Sequence, residues 1–205
     1  MLSQLDNIIF PDRCDVLEIV PSQRYIYPIF KNASSSLMNS GFRLVDQDEL
    51  QGINEIEVLV RNPFDRFISG VQTYLDTLDP KLHRTTALHF VENHLFLNRH
   101  FCPQFHWLVN LRRYTRANIT VKPLHYVSTI TSEVRNQSDP DPMLAEYFEN
   151  NDKVHFYLEI DKVLVNNLLG QTVSFEEIVS TIKSEYPLVY KEVIQRSIDL
   201  CGVLE

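Results

Sequence analysis

The chain has 205 residues, 44% of them apolar and 22% charged, with five Gly and ten Pro. That length and composition suit one globular domain with its own core, and they exclude collagen-like, coiled-coil and wholly disordered chains. Nineteen Lys and Arg against 27 Asp and Glu leave a net charge of −8, which excludes attachment to nucleic acid or an anionic membrane through bulk charge; a polyanionic ligand has to find a local basic site.

The N-terminal stretch carries neither a basic region nor a long apolar core, and no apolar run reaches the roughly 18 residues of a membrane span. A cytoplasmic protein without export signal or transmembrane segment is expected. Cys14, Cys102 and Cys201 are far apart and form no C-x-x-C pair, which suggests neither a disulfide framework nor a zinc site. N-x-S/T triplets begin at Asn32, Asn118 and Asn136, but such triplets arise by chance and do not alter that expectation.

The first predicted strand is Arg24 to Phe30, rich in Tyr and Ile, and it runs into the polar loop Lys31-Asn32-Ala33-Ser34-Ser35-Ser36. A short helix from about Ser35 to Ser40 stops at Gly41. Ile56 to Val60 is near-continuously apolar, as a strand covered on both faces should be. Asn62 then offers an N-cap and Pro63 an N1 residue, and Phe64, Phe67, Ile68, Val71, Leu75 and Leu78 follow at helical spacing until Asp79-Pro80. This order reads as an α/β unit with a parallel sheet, whose functional loops lie at the carboxyl ends of the strands.

Further on, a helix is predicted over Thr86 to Asn98 and a strand over Ile119 to Val127, interrupted by Pro123. Thr131 to Pro142 is polar and Pro-broken and reads as a mobile loop. A helix over Met143 to Glu149 and a third strand over His155 to Ile160 follow. Ser174 with Glu177 makes a capping box for a helix to about Glu185, and Pro187 opens a last helix carrying Val189, Val193, Ile194 and Ile198.

Two loops carry the chemistry, each where a strand hands over to a helix. Lys31 to Ser36 supplies a cation, three hydroxyls and backbone N–H groups at a helix start, the parts needed to grip an anion. Its Lys comes first and it has no glycine, so it is not the G-x-x-x-x-G-K-S/T loop of ATP and GTP hydrolases. In the second loop Arg61 leaves the buried strand, and Ser69 stands seven helical steps of about 100° beyond Asn62, about 20° short of two turns. Arg61 and Ser69 can therefore converge on one group. Arg66 reads either as a further phosphate contact or as a solvent-facing helix cation.

Together, PIFKNASSSL followed by VRNPFDRFISG resembles the two cofactor signatures of sulfotransferases that use 3′-phosphoadenosine 5′-phosphosulfate (PAPS). In that family P-K-x-G-S/T-S/T holds the 5′-phosphosulfate and R-D/N-P-x-x-R-x-x-S holds the 3′-phosphate. Arg61, Asn62, Pro63, Phe64, Arg66 and Ser69 fall in place in the second, whereas in the first Ile29 and Phe30 separate Pro28 from Lys31 and Ala33 stands at the usual Gly. Arg99 to Gln104 looks like the H-W-x-P-Q segment of carbohydrate sulfotransferases of the chondroitin and HNK-1 type, with Phe101 for Trp, and HFYLEIDKVL is similar to a later strand of theirs. The family's membrane anchor is missing from this sequence, which points to a soluble relative.

The resemblance implies a P-loop-like three-layer α/β sandwich, with a central parallel sheet flanked by helices, in one domain over 1–205. Its cofactor half covers about 20–80, its acceptor and base region 81–160 and its C-terminal helices 170–205. Implied, too, is transfer of a sulfuryl group from PAPS to a hydroxyl acceptor on a carbohydrate, with adenosine 3′,5′-bisphosphate as product; the net charge of −8 separately favours an acceptor of neutral or weak charge. Lys31 would stabilise the leaving phosphate. The 5′ end would lie on Lys31, Asn32, Ala33, Ser34, Ser35 and Ser36, and the 3′-phosphate on Arg61, Arg66 and Ser69.

His100 is the expected general base, with His94 or Glu92 as substitutes. His89, His94, His100 and His106 are spaced by five, six and six residues, which gives no i,i+4 metal pair, and no metal site is expected. Arg112, Arg113 and Arg116 read as a solvated basic face, Trp107 and Tyr114 as core. Two other readings stay open: a divergent nucleotide kinase, and a nucleotide-binding module without activity.

Overall fold

The computed structural model describes residues 14–20, 22–79, 83–95, 98–132 and 140–194. Strand β1 (Leu17–Ile19) is followed by β2 (Arg24–Tyr27), which ends three residues before the expected Phe30. Pro28 has no N–H to give to a ladder, and the chain turns away there. Helix α1 (Ser34–Met38) and the two-residue β3 (Arg43–Leu44) lead to a 3₁₀ turn over Gln47–Gly52 and then to β4 (Glu55–Val60), buried at every position after the first.

Helix α2 (Pro63–Thr77) starts as its sequence dictates, with Asn62 accepting from the N–H of Phe64 at 3.0 Å and of Asp65 at 3.1 Å. Helix α3 (Arg84–Asn93) stops short of the expected Asn98, and α4 (Gln104–Tyr114) is an element with no counterpart among the predicted ones. It shows no amphipathic period because Gln104 to Leu111 are all buried. Strand β5 (Asn118–Pro123) ends at its proline, and a 3₁₀ turn over Leu124–Thr129 takes up the rest of the predicted strand.

Helices α5 (Pro142–Glu149) and α6 (Asp152–Asn166) come next. The expected strand over His155–Ile160 lies inside α6 and is a helix. Asn151 caps it by accepting from the Val154 N–H at 3.0 Å. One stripe, Val154 and Leu158, packs against α2 and α5; another, Ile160, Val163 and Leu164, packs against the sheet side. A helix buried on two sides shows a short apolar run in place of a clean 3.6-residue period, and β-rich side chains then mimic a strand.

Strand β6 (Thr172–Val173) precedes α7 (Phe175–Glu185), which begins with the anticipated capping box of Ser174 and Glu177. Of the last predicted helix, the described residues hold the single turn α8 (Pro187–Val189) and a π-helical turn at Tyr190–Ile194. Pro80, Asn136, Ile198 and Cys201 lie outside the described residues, as do 133–139 of the predicted loop.

The sheet order is β3-β1-β2-β4-β5-β6. Its centre is parallel, with Ile26 beside Glu57 and Tyr27 beside Val58 between β2 and β4, and Val60 beside Pro123 between β4 and β5. The edges correct the expectation of a parallel sheet, because β1, β3 and β6 all pair antiparallel. Ile19 and Arg24 stand too close along the chain for a parallel crossover, which needs about a dozen residues. The sheet is thus mixed and the class α/β.

Ile56, Val58 and Val60 of β4 pack with Phe105, Leu108, Ile160 and Ile178 on one face of the sheet, while Leu59 meets Ile26, Leu37 and Val127 on the other. A third cluster joins α2, α3, α5 and α6 through Phe67, Val71, Val91, Phe148 and Leu158. Among the described residues no helix is long and apolar enough to cross a membrane.

Candidate functional site

Because β2 and β4 are neighbouring parallel strands, the loops leaving them emerge at the same edge of the sheet. The first loop is tightly wound. Lys31 has φ 67° and Ala33 φ 59°, both left-handed, and Ala33 is the N-cap position of α1. Left-handed backbone costs a residue with a Cβ about 1–2 kcal/mol and is retained where neighbouring structure enforces it. The Ala33→Gly variant is therefore expected to gain about 1 kcal/mol, a rise in Tm of about 2–4 °C for a chain of this size. Thermal unfolding checks this, and an unchanged or lowered Tm contradicts the strain.

Asn32 faces inward and is fully buried; its Nδ2 donates to Leu59 O at 2.7 Å and to Gln104 Oε1 at 2.6 Å, and its backbone N–H donates to Ile29 O at 3.0 Å. Asn32 thus holds the loop's shape, which corrects its expected place among the groups touching a cofactor and removes it as a glycosylation acceptor in the folded chain. Gln104, the first residue of α4, is the partner that sequence reasoning missed. Its Oε1 also accepts from the Arg61 N–H at 3.0 Å while its Nε2 donates to Arg61 O at 2.9 Å. One buried amide therefore fixes both loops, and the only sequence signal for it was its place in the H-x-x-P-Q resemblance.

Arg66 also departs from expectation. It is fully buried, neither a solvent-facing cation nor open to a ligand from outside, and it donates from Nε to Phe30 O at 3.0 Å and from Nη1 to Cys102 O. Its Nη2 is buried without a partner. Asp161 of α6 supplies compensating charge and accepts the N–H groups of Gln104 at 2.6 Å and Phe105 at 2.9 Å. Burial pushes the Asp161 carboxyl up to about 6 against the opposing pull of Arg66 and these donors. Both of its oxygens accept N–H groups at the start of α4, an arrangement that favours the carboxylate and caps the helix.

Lys31 is half-buried and its Nζ donates to Thr73 Oγ1 of α2. Burial, followed by the charges of Arg66 and Arg61, lowers its pKa, while Asp76 works the other way. Arg61 is half-buried and its pKa is likewise lowered by desolvation, against Asp65. Among the described residues none of Lys31, Arg61, Arg66 and Arg99 stands in an ion pair. In a chain of net charge −8 this is a local gathering of cations. Ser69 is half-buried on α2, Ser34 half-buried, Ser35 exposed and Ser36 buried.

His100 joins this group through Phe30. The Phe30 ring lies edge-on to His100 with centroids 5.1 Å apart, stacks on Trp107 at 6.0 Å, and carries Lys31 Nζ at 5.7 Å and the exposed Arg99 guanidinium at 5.4 Å from its centroid. Burial, then Arg99, Lys31 and Arg66, push the His100 imidazole down to about 4, so it is uncharged at neutral pH.

The segment holding His100 is clamped by Gly70, where a Cβ would stand 1.9 Å from His100 O and 2.6 Å from its carbonyl carbon. A glycine inside a helical pattern marks close backbone approach, a signal present in the sequence directly after Ser69. Gly70→Ala is expected to destabilise toward the upper end of the about 1–3 kcal/mol usual for overpacking and to displace His100. Urea unfolding measures the first and the His100 imidazole resonances the second; a loss below about 0.5 kcal/mol would show that the two elements separate freely.

The other candidates lie elsewhere. His94 stacks on Phe90 at 4.1 Å with Nδ1 2.9 Å from Phe90 O, and Glu92 accepts from Asn151 Nδ2 at 3.1 Å, so both serve the packing of α3. Arg112 pairs with Glu176 at 2.6 Å, Arg113 lies over Tyr114, Arg116 is exposed, and Trp107 is buried. Cys14 and Cys102 are buried free thiols pushed up by desolvation to about 12 and about 11, hence unreactive. Among the described residues no three His, Cys, Asp or Glu are grouped to hold a metal ion. Comparison with known proteins finds no match among protein-family models, curated proteins or solved structures.

Proposed function

We propose that the protein is a PAPS-dependent sulfotransferase with a P-loop-like layered core, acting on a hydroxyl acceptor of carbohydrate type and of neutral or weak charge. The observation that carries this reading is the gathering of Lys31, Arg61 and the uncharged His100 beside two adjacent parallel strand ends, with a local surplus of positive charge. PAPS brings a phosphate at each end of its ribose, and two separate basic loops answer that distribution.

On this reading Arg61 and Ser69 hold the 3′-phosphate, while Lys31 and the hydroxyls and N–H groups of Ser34 and Ser35 hold the 5′ end. Ala33, Asn32 and Gln104 shape the loop. The acceptor oxygen attacks sulfur in line, the bond from sulfur to the bridging oxygen breaks, and its electron pair leaves on the 5′-phosphate, where Lys31 meets the growing charge. His100 takes the acceptor proton.

Calorimetric titration with adenosine 3′,5′-bisphosphate in the absence of magnesium tests the site, with ATP as the competitor. Binding of the bisphosphate and transfer of label from PAPS to a member of a glycan and phenol panel are the expected results. Failure of the bisphosphate to bind overturns the reading; phosphoryl transfer from ATP would favour a kinase, and binding without transfer an inactive module.

A further inference from the structure

Resting on this reading of His100 as the base, we infer that Asn98 is a positioning residue which fixes the imidazole in the tautomer protonated on Nδ1 and so leaves the Nε2 lone pair for the acceptor's proton. Asn98 is fully buried; its Oδ1 accepts from the His100 backbone N–H at 2.9 Å and lies 2.7 Å from His100 Nδ1. The backbone N–H can only donate, so the amide must present its oxygen there and not its NH₂ group. That same oxygen, facing Nδ1, requires a hydrogen on Nδ1. A neutral imidazole carries one N–H, and Nε2 is therefore bare.

The rest of the turn keeps the ring in place. Asn98 O accepts from the Cys102 N–H at 2.9 Å, the Gly70 contact blocks movement of the His100 carbonyl, and the Phe30 ring closes one side. The amide also matters for charge. A carboxylate at this position would favour the imidazolium, whereas an uncharged acceptor leaves burial, then Arg99 on the same segment, Lys31 on the first loop and Arg66 on α2, to keep the free base unprotonated. In the reaction the acceptor O–H bond breaks, its oxygen bonds to sulfur, and the proton goes to Nε2; the imidazolium later gives it to water.

The test is a long-range ¹⁵N–¹H spectrum of the labelled full-length protein, with His100 assigned by the loss of its signals in His100→Gln. Wild type should show Nδ1 protonated and Nε2 bare at neutral pH; an Nε2–H tautomer overturns the inference without needing any variant to fold. Asn98→Asp should raise the His100 titration midpoint by about 1–3 units and carry the acid limb of kcat upward with it. Asn98→Leu should lower kcat while the Kd for adenosine 3′,5′-bisphosphate stays within about twofold. Equal loss of both, or an unchanged kcat, overturns the positioning role while the sulfotransferase reading stands. Absence of any sulfuryl transfer by wild type would instead remove the reaction, and the spectrum alone would then decide the hydrogen-bond assignment.

Discussion

Lys31→Ala is expected to lower turnover with PAPS by about 10²–10³, the effect of removing one preorganised donor from a developing negative charge, about 2.7–4 kcal/mol. The size follows from where Lys31 stands. It is half-buried, held by Thr73 Oγ1, and repelled by Arg66 and Arg61, so its charge is poorly solvated until an anion arrives. Charge growing on a departing phosphate is then met in a region of lower dielectric than water. Arg61→Ala should partition differently, because on the proposed reading Arg61 answers a phosphate remote from sulfur: the Kd for adenosine 3′,5′-bisphosphate is expected to rise more than kcat falls. Steady-state kinetics with varied PAPS, together with calorimetry, separate the two. If Lys31→Ala weakens binding and spares kcat while Arg61→Ala does the reverse, the two loops have been assigned the wrong ends of the cofactor.

What could be read from the amino acids was local. The Asn62 cap, Pro63 at N1 and the apolar spacing behind them specify α2 without help from the rest of the chain, and Ser174 with Glu177 does the same for α7. Strands β2, β4 and β5 were legible because β-branched and aromatic residues cluster there, but the ends of β2 and β5 were not: the predicted strands continue past Pro28 to Phe30 and past Pro123 to Val127, whereas the prolines stop β2 and β5. Elements buried on more than one side were not legible. Helix α4 is buried at every residue from Gln104 to Leu111 and α6 faces two clusters at once, so polarity no longer marks an outer face and periodicity vanishes from the sequence. The site divides in the same way. Lys31, Arg61 and Ser69 stand in short local patterns, whereas Gln104 and Asp161 act through partners far along the chain: Gln104 on Arg61, and Asp161 on the start of α4. Arg66 shows the limit best, since a cation four residues past an N-cap carries no mark that it points inward.

Asp161→Ala is expected to destabilise the fold by about 3–5 kcal/mol, the usual consequence of removing one member of a buried charge system. Three losses coincide at this position. The N–H groups of Gln104 and Phe105, at 2.6 and 2.9 Å, lose their acceptor inside the protein. Arg66, fully buried and already carrying an unpartnered Nη2, loses its compensating carboxylate. The start of α4 loses the negative charge that its dipole favours. Asp161→Asn keeps one acceptor oxygen but not the charge, so it should fall between wild type and Asp161→Ala. A lowered urea midpoint at unchanged m-value would measure the effect as stability. The damage should reach the site as well, because Gln104 is both the residue whose N–H Asp161 holds and the residue whose amide binds Asn32 and Arg61. Adenosine 3′,5′-bisphosphate should therefore bind Asp161→Asn more weakly even where that variant is fully folded. A loss of stability under about 1 kcal/mol for Asp161→Ala would mean that the Arg66 charge is answered elsewhere, and the link from α6 through α4 to the two loops would fall with it.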